Sequence, residues 1–236
     1  RYLLKDAASP ATVSTLAEAE AFANAGYTNL LYAVGIAPHK LPRIANLIHK
    51  GVNIHILLDS VEQARAVTDF ALANSVTFSV FIEIDCDGHR GGIPPESDAL
   101  LELAKQIDGN GATLTGLLAH AGESYACSTD EAIRAAARAE CKAINTAGQR
   151  VRALGIACPV LSVGATPTAH FAEDLTGVTE VRAGVFTTFD LVMKNVGVCS
   201  LDDIALSVVP TGIGLKRQKG GGFSQEGGLA VTAGGF

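Results

Sequence analysis

Three stretches of the sequence decide the fold: LTGLLAHAGESY at residues 114–125, PVLSVGATPT at 159–168 and TEVRAGV at 179–185. Each stretch begins as an apolar run and ends in a short cluster of small and polar residues. In a parallel α/β barrel, the carboxyl ends of the strands meet at one rim, where loops far apart in sequence surround one ligand. We therefore expect the functional site at this rim.

Apolar runs alternate with helical patterns along the chain, which predicts right-handed βαβ units and a parallel sheet. Such a sheet is either a closed barrel or an open, doubly wound sheet. The predicted helices are residues 15–25, 41–50, 60–73, 96–107 and 129–154. The predicted strands are residues 12–14, 29–34, 53–59, 77–85, 114–120, 159–164 and 179–186.

Seven strands are one short of an eight-stranded TIM-type (β/α)8 barrel. The chain has no initiator Met, and residues 1–5 have the pattern of the middle of a helix. We therefore predict an α/β barrel of the (β/α)8 TIM type whose first strand is missing from this chain.

The composition restricts the class of protein. Of the 236 residues, 48% are hydrophobic and 18% are charged, and the formal net charge is −6, which argues against nucleic-acid binding. No apolar run approaches the ~20 residues that span a bilayer, and no secretory leader opens the chain. The five cysteines form no CxxC pair, which favours reduced thiols. These features predict a cytoplasmic protein that binds small molecules, with no nucleic-acid or membrane partner.

The pattern changes after Asp190, and residues 216–236 are rich in glycine. We predict a barrel domain over residues 1–200 and the incomplete start of a C-terminal β-rich domain over 201–236. Residues 204–209 and 229–232 are candidate strands of that second domain.

The segment from Ser162 to Thr168 lies where a strand passes into a helix. Gly164 permits close backbone approach, and Thr166 adds a hydroxyl donor, so a phosphate fits this helix N-terminus. Gly184, after the next strand, supplies a second glycine for the same anion. An ordinary capped turn would give the same sequence.

Two further clusters end strands. Glu83, Asp85 and Asp87 precede Arg90, and they are candidates either for a metal site or for a polar layer inside the barrel. Arg90 offers a fixed cation for a phenolate or carboxylate, although a solvated arginine is an equal alternative. His120 and Tyr125 offer an imidazole and a phenol to one ligand, or they are structural.

Taken in order, five segments resemble the D-threonine aldolase and D-serine dehydratase family of fold-type III pyridoxal-phosphate (PLP) enzymes, which are related to alanine racemase. They are VSTLAEAE (13–20), IDCDGHR (84–90), HAGESY (120–125), SVGATPT (162–168) and TEVRAG (179–184) with Phe189 and Asp190.

The resemblance implies the roles of the site residues. Ser162, Gly164, Ala165 and Thr166, with Gly184 and Val185, would bind the phosphate of pyridoxal 5'-phosphate. Arg90 would lie near the oxygen of the cofactor ring, His120 at the ring's rim, and Tyr125 near the pyridine nitrogen or the substrate. The lysine that bonds the cofactor would precede Arg1, and a divalent metal (Zn, Mn or Mg) would be held by residues beyond Phe236.

The implied function is that of a PLP-dependent lyase that acts on D-amino acids, in particular 3-hydroxy-D-amino acids, through an external aldimine. An aldolase and a dehydratase are both compatible with these residues. A racemase of the same fold and a non-catalytic PLP-binding homeostasis protein are the alternatives. The fold type also implies a homodimer.

Overall fold

The computed structural model describes residues 3–109, 111–207, 216–217 and 223–224. The strands of its main sheet are β1 (Ala11–Val13), β2 (Asn29–Gly35), β3 (Asn53–Leu58), β4 (Phe78–Ile84), β5 (Ala112–Ala119), β6 (Val160–Val163) and β7 (Glu180–Val181). The helices are α1 (Leu16–Asn24), α2 (Leu41–His49), α3 (Val61–Asn74), α4 (Asp98–Ile107), α5 (Asp130–Ala153), α6 (Thr166–Phe171) and α7 (Leu191–Val196).

Short 3-10 turns and one small hairpin complete the described structure. The turns are Pro38–Lys40, Gly122–Ala126, Val185–Thr187 and Leu201–Asp203. The hairpin pairs β8 (Lys216–Arg217) with β9 (Phe223–Ser224) in antiparallel orientation.

Capping residues set the starts of the helices. The Thr15 hydroxyl accepts the Glu18 N–H at 3.1 Å, and a Glu18 carboxylate oxygen accepts the Thr15 N–H at 2.9 Å. This reciprocal pair is the capping box that the sequence predicts. Ser60 and Gln63 form the same arrangement before α3.

The seven strands lie in sequence order, and every neighbouring pair is parallel. A doubly wound sheet reverses its strand order at a switch point, and this sheet has no such reversal. The architecture is therefore the curled, seven-stranded part of a TIM-like barrel, which confirms the predicted fold class.

Alternate side chains of the strands enter two different cores. Leu31, Leu57, Phe81 and Leu118 form a small apolar layer on the inner face of the sheet. Their neighbours, such as Leu30 and Ile56, belong to the large core between the sheet and the helices. Both faces of the sheet are buried, as the near-continuous apolar strands predict.

Several boundaries differ from the predictions. Residues 3–5 are irregular, so the helix predicted over residues 1–5 is wrong for the described part. The last predicted strand, 179–186, contains only the two residues of β7, because the 3-10 turn at Val185 interrupts it. The helix expected after Gly164 is present as α6, whereas the sequence did not predict α7, which is too short to show a clear helical period.

The predicted C-terminal strands are not seen. Residues 204–207 form no strand. The remaining residues of that prediction and the whole of 229–232 lie outside the described residues. Within the part of the chain that the structure describes, no helix is long and apolar enough to cross a membrane.

Candidate functional site

The carboxyl ends of β5, β6 and β7 meet, as expected for neighbouring parallel strands. His120 follows β5, and its Nδ1 lies 2.6 Å from the carbonyl oxygen of Gly164, which follows β6. The backbone N–H of Arg182, just after β7, donates to the Val163 carbonyl at 2.8 Å. Three of the clusters quoted from the sequence are thus parts of one rim.

Gly164 occupies a position that no other residue fits. Its φ is +154°, and a Cβ placed there would lie 2.0 Å from the carbonyl oxygen of Arg182. The backbone of Arg182, just after β7, therefore approaches the Gly164 backbone directly. Gly184 differs, because a Cβ at that position would meet nothing within 4 Å and faces open space.

The backbone amides of residues 164 and 165 are already bonded within the protein. The Gly164 N–H donates to Glu140 Oε1 at 2.9 Å, and the Ala165 N–H donates to Thr168 Oγ1 at 3.3 Å. Neither amide is therefore the free anion donor that the sequence suggests. The side-chain hydroxyl of Thr166 is different: its Oγ1 is buried and has no hydrogen-bond partner in the described structure.

Glu140, on α5, holds two rim segments at once. Its Oε1 accepts the N–H groups of Gly164 and Ala121, the latter at 3.1 Å, and its Oε2 accepts the Thr168 hydroxyl at 2.9 Å. The residue is 1% exposed. Burial raises the pKa of Glu140, while the hydrogen bonds from Gly164, Thr168 and Ala121 act in the opposite direction.

Arg182 approaches the same rim from inside the barrel. Its Nε donates to the Ser162 hydroxyl at 2.8 Å, and a terminal guanidinium nitrogen donates to the Ala119 carbonyl. Ser162 in turn donates to Glu180 at 2.5 Å. Burial lowers the pKa of Arg182, and the carboxylates of Glu140 and Glu180 act against that shift. The hydroxyl of Ser162 is thus engaged in an internal network, and its predicted role in phosphate binding stays a prediction.

His120 is held as a neutral ring. Burial, followed by the positive charge of Arg90, lowers its pKa to about 4. Since the Gly164 carbonyl only accepts hydrogen bonds, Nδ1 carries the proton and Nε2 is left as an acceptor. The Tyr125 ring stacks on this imidazole, with the ring centroids 6.0 Å apart and an interplanar angle of 23°. Burial raises the pKa of Tyr125, so the phenol is protonated at neutral pH.

Arg90 lies in an exposed loop between β4 and α4. Asp85 begins this loop, and one of its carboxylate oxygens accepts the Gly88 N–H at 2.6 Å. Contacts tie the loop to the 3-10 turn that carries Tyr125: Asp87 accepts the Glu123 N–H at 3.0 Å, and His89 Nδ1 lies 2.6 Å from a Glu123 carboxylate oxygen. The side chain of Arg90 packs beside the Cα of Gly122.

Val185 belongs to a small apolar cluster behind Tyr125. Ile133, Met193, Val196 and Val198 form its buried part, and Tyr125 and Val185 pack against them. The cluster joins the turn after β5 to the turn after β7. It therefore brings two predicted site residues to the same side of the rim.

Acidic residues lie at the ends of β3 and β4, and two of them have structural partners. Asp59 accepts the Gly92 N–H at 3.0 Å, and Asp85 caps its own loop. Glu83 is half-buried, and burial followed by the charge of Asp59 raises its pKa. Within the described residues, no group of three or more His, Cys, Asp or Glu side chains could hold a metal ion. The polar-layer alternative for Glu83 fits these contacts better than a metal site.

Sequence reasoning missed Glu140 and the side chain of Arg182. A signal for Glu140 was present, because it lies on the buried stripe of α5 with Ile133, Ala137 and Ile144. A charged residue in such a stripe needs buried partners. The sequence could not show that those partners are backbone amides from two other elements.

The chain belongs to the alanine racemase N-terminal domain family, whose model matches residues 1–191. It is 46% identical over 226 residues to D-threo-3-hydroxyaspartate dehydratase from Delftia sp., covering 95% of this chain and 60% of that protein. It is 30% identical to D-serine dehydratase from Dictyostelium discoideum, covering 94% of this chain and 59% of that protein.

Solved structures include close matches to the fold. The crystal structure of an alanine racemase-like protein from Idiomarina loihiensis matches with a TM-score of 0.83 and 57% identity, covering 86% of this chain and 54% of that one. This chain thus spans between 54% and 60% of the length of these three proteins.

Proposed function

We propose that this chain forms the cofactor-binding part of a PLP-dependent lyase that acts on 3-hydroxy-D-amino acids. The observation that carries the proposal is the 46% identity to D-threo-3-hydroxyaspartate dehydratase over 95% of this chain. The second dehydratase relative, which acts on D-serine, supports a D-amino acid as the substrate class. Loss of water is accordingly the first reaction to test.

The rim contains features that fit the phosphate of PLP. A buried hydroxyl without a partner costs free energy unless a ligand satisfies it, and the Thr166 Oγ1 is such a group. Open space beside Gly184, which follows the neighbouring strand β7, leaves room for an oxyanion close to the backbone. The residues present therefore fit the group, with Thr166 as donor and Gly184 and Val185 as the opposite wall.

His120, Tyr125 and Arg90 fit the ring of the cofactor. The stacked pair of His120 and Tyr125 supplies a flat wall, and its phenol is a hydrogen-bond donor at neutral pH. The Nε2 of His120 accepts a hydrogen bond and does not carry a positive charge above about pH 4. Arg90 offers a guanidinium that pairs with a phenolate oxygen of the ring.

Bound PLP supplies an electron sink for bond breaking at the Cα of an amino acid. The task of the chain's own residues is then to orient the cofactor and the substrate. Because His120 is neutral, no second positive charge lies beside Arg90. Such a charge would compete with Arg90 for the same ring oxygen. The described residues supply no metal-ligand set, so no step is assigned to a metal. A divalent metal held by residues beyond Phe236 stays a prediction.

The proposal is tested on the purified full-length protein. We expect it to retain or bind PLP, seen as the cofactor's visible absorbance and its loss on borohydride reduction. With a divalent metal present, D-threo-3-hydroxyaspartate and D-serine should each give a 2-oxo acid and ammonia. Failure to bind PLP would remove the enzyme proposal.

The same assays separate the other outcomes. Glycine and an aldehyde from D-threonine would make the protein an aldolase, and inversion of D-alanine without cleavage would make it a racemase. PLP binding with none of these products would favour the non-catalytic carrier. The homodimer and the cytoplasmic location stay predictions, to be tested by sedimentation and by cell fractionation.

A further inference from the structure

Glu140 is the one buried carboxylate in the described structure that joins the two rim segments of the candidate site. We infer that Glu140 is a positioning residue: it fixes the loop that carries His120 against the segment that carries Thr166. This inference rests on the proposed PLP site, and it adds a residue on α5 whose hydrogen bonds go to the Ala121 and Gly164 backbone and to the Thr168 hydroxyl.

The contacts form a closed circuit. Glu140 Oε1 accepts the N–H of Ala121, which follows His120, and the N–H of Gly164. The carbonyl of the same Gly164 accepts from His120 Nδ1 at 2.6 Å. Both backbone groups of Gly164 are therefore held by side chains from two other elements. A shift of either segment would stretch two hydrogen bonds at once.

The second oxygen of Glu140 extends the circuit to the start of α6. It accepts the Thr168 hydroxyl at 2.9 Å, and that hydroxyl also lies 3.2 Å from the Ala165 carbonyl. Thr166 lies between Ala165 and Thr168, so its free hydroxyl is held in a segment that is fixed on both sides. Burial makes these bonds costly to break, because the amides would then have no partner.

Arg182 holds the opposite side of the same loop. It donates to the Ala119 carbonyl, while Glu140 accepts the Ala121 N–H, so the backbone on both sides of His120 is bound. The charge of Glu140 also acts on Arg182. We therefore expect Glu140 to hold the two segments mainly through its hydrogen bonds, with its charge as the secondary contribution.

Two substitutions separate these contributions. Glu140→Gln keeps an acceptor for both amides, and its NH2 can donate to the Thr168 hydroxyl, so the circuit survives without the charge. Glu140→Ala removes both carboxylate oxygens and the three hydrogen bonds that they accept. Ile144→Ala is the matched control, because Ile144 is on the same helix, is fully buried in the main core and has an aliphatic side chain that forms no hydrogen bond to the rim.

The first measurement does not need PLP. With 15N-labelled histidine, NMR reports which ring nitrogen of His120 carries the proton, and His120→Asn assigns the signal. We expect the Nδ1–H form in the unmodified protein, in Glu140→Gln and in Ile144→Ala. Glu140→Ala should lose it, because the Gly164 carbonyl moves away. Retention of the Nδ1–H form in Glu140→Ala would overturn the inference.

The second measurement is PLP affinity per folded molecule, with the melting temperature recorded for each variant. Glu140→Ala should weaken PLP binding by at least about tenfold, whereas Glu140→Gln should stay within about threefold. Ile144→Ala should lower the melting temperature and leave the affinity unchanged. Equal affinities in Glu140→Ala and Ile144→Ala would reduce Glu140 to a structural residue and overturn the inference. If the unmodified protein binds no PLP, the proposed function fails, and the NMR result decides the positioning role alone.

Discussion

Two rim segments carry candidate site residues, and they are held in different ways. Residues 164–168 are bound to the body of the protein by the His120 ring and by the buried carboxylate of Glu140, which accepts the Gly164 N–H and the Thr168 hydroxyl. Residues 85–92, which carry Arg90, are held by turns of their own, by the hydrogen bonds from the Gly92 N–H to Asp59 and from the Glu123 N–H to Asp87, and by a contact between His89 and Glu123 whose side chains are 48% and 52% exposed. Buried hydrogen bonds to a charged group contribute more than exposed ion pairs. We therefore expect the first segment to be rigid and preformed, and the second to adjust to its ligand.

The sharpest test of the rigid segment is Gly164→Ala. The added Cβ would overlap the Arg182 carbonyl at 2.0 Å, at a φ that L-residues rarely adopt. We expect a loss of about 4 kcal/mol in the free energy of unfolding, measured by denaturant titration. Gly184→Ala is the control, since its Cβ meets nothing within 4 Å, and its stability should change by less than about 1 kcal/mol. If Gly164→Ala and Gly184→Ala lose similar free energies of unfolding, the Arg182 carbonyl does not approach Gly164 closely.

The pH dependence of stability tests the buried imidazole. The unfolded chain protonates His120 below about pH 6.5, whereas the folded protein does so only near pH 4. The unfolded state therefore binds more protons in this window, and stability falls as the pH falls through it. The contribution of His120 is about 3 kcal/mol, fully present above pH 6.5 and lost by pH 4.

His120→Asn isolates that contribution. Its amide can still donate to the Gly164 carbonyl, but it does not titrate. Glu83 and Glu140 have raised pKa values and act with the opposite sign, so the measured quantity is the difference between the two proteins from pH 7 to pH 4. If the free energy of unfolding changes equally with pH in the unmodified protein and in His120→Asn, the lowered pKa of His120 is contradicted.

Thr166→Val tests the unpartnered hydroxyl. Since Oγ1 has no hydrogen-bond partner in the described structure, its removal should leave the free energy of unfolding without PLP unchanged or slightly higher. PLP should bind about tenfold more weakly, as expected for one lost hydrogen bond to a charged phosphate. Titration of the protein with PLP, followed by absorbance, measures this affinity. Unchanged affinity would place the phosphate elsewhere.

The smallest effect is expected in the exposed loop. Glu123→Gln removes the charge partner of His89, and both side chains are about half exposed. Surface pairs of this kind contribute little, so the free energy of unfolding should change by no more than about 0.5 kcal/mol. If Glu123→Gln changes the free energy of unfolding by as much as the contribution expected for His120, the two rim segments are held equally firmly. The comparison between them would then fail.

Much of the fold follows from local patterns. Alternating apolar runs and capped helices predicted the parallel order of the strands, and the Thr15–Glu18 spacing predicted the start of α1. The errors fall where local patterns are weak: a two-residue strand at β7, the six-residue helix α7, and residues 3–5. In such short segments, contacts with the rest of the protein outweigh intrinsic propensity.

The sequence by itself determined the class of fold and the residues that gather at its rim, because side-chain periodicity and strand direction are local properties. It identified Gly164, His120 and Tyr125 as members of one site. Only the tertiary structure decided how they are held: the Gly164 amide bonds to Glu140, 24 residues away, and the tautomer of His120 depends on a carbonyl 44 residues away. Hydrogen bonds between distant elements depend on how α5 packs against β5 and β6, and no local pattern of residues records that packing.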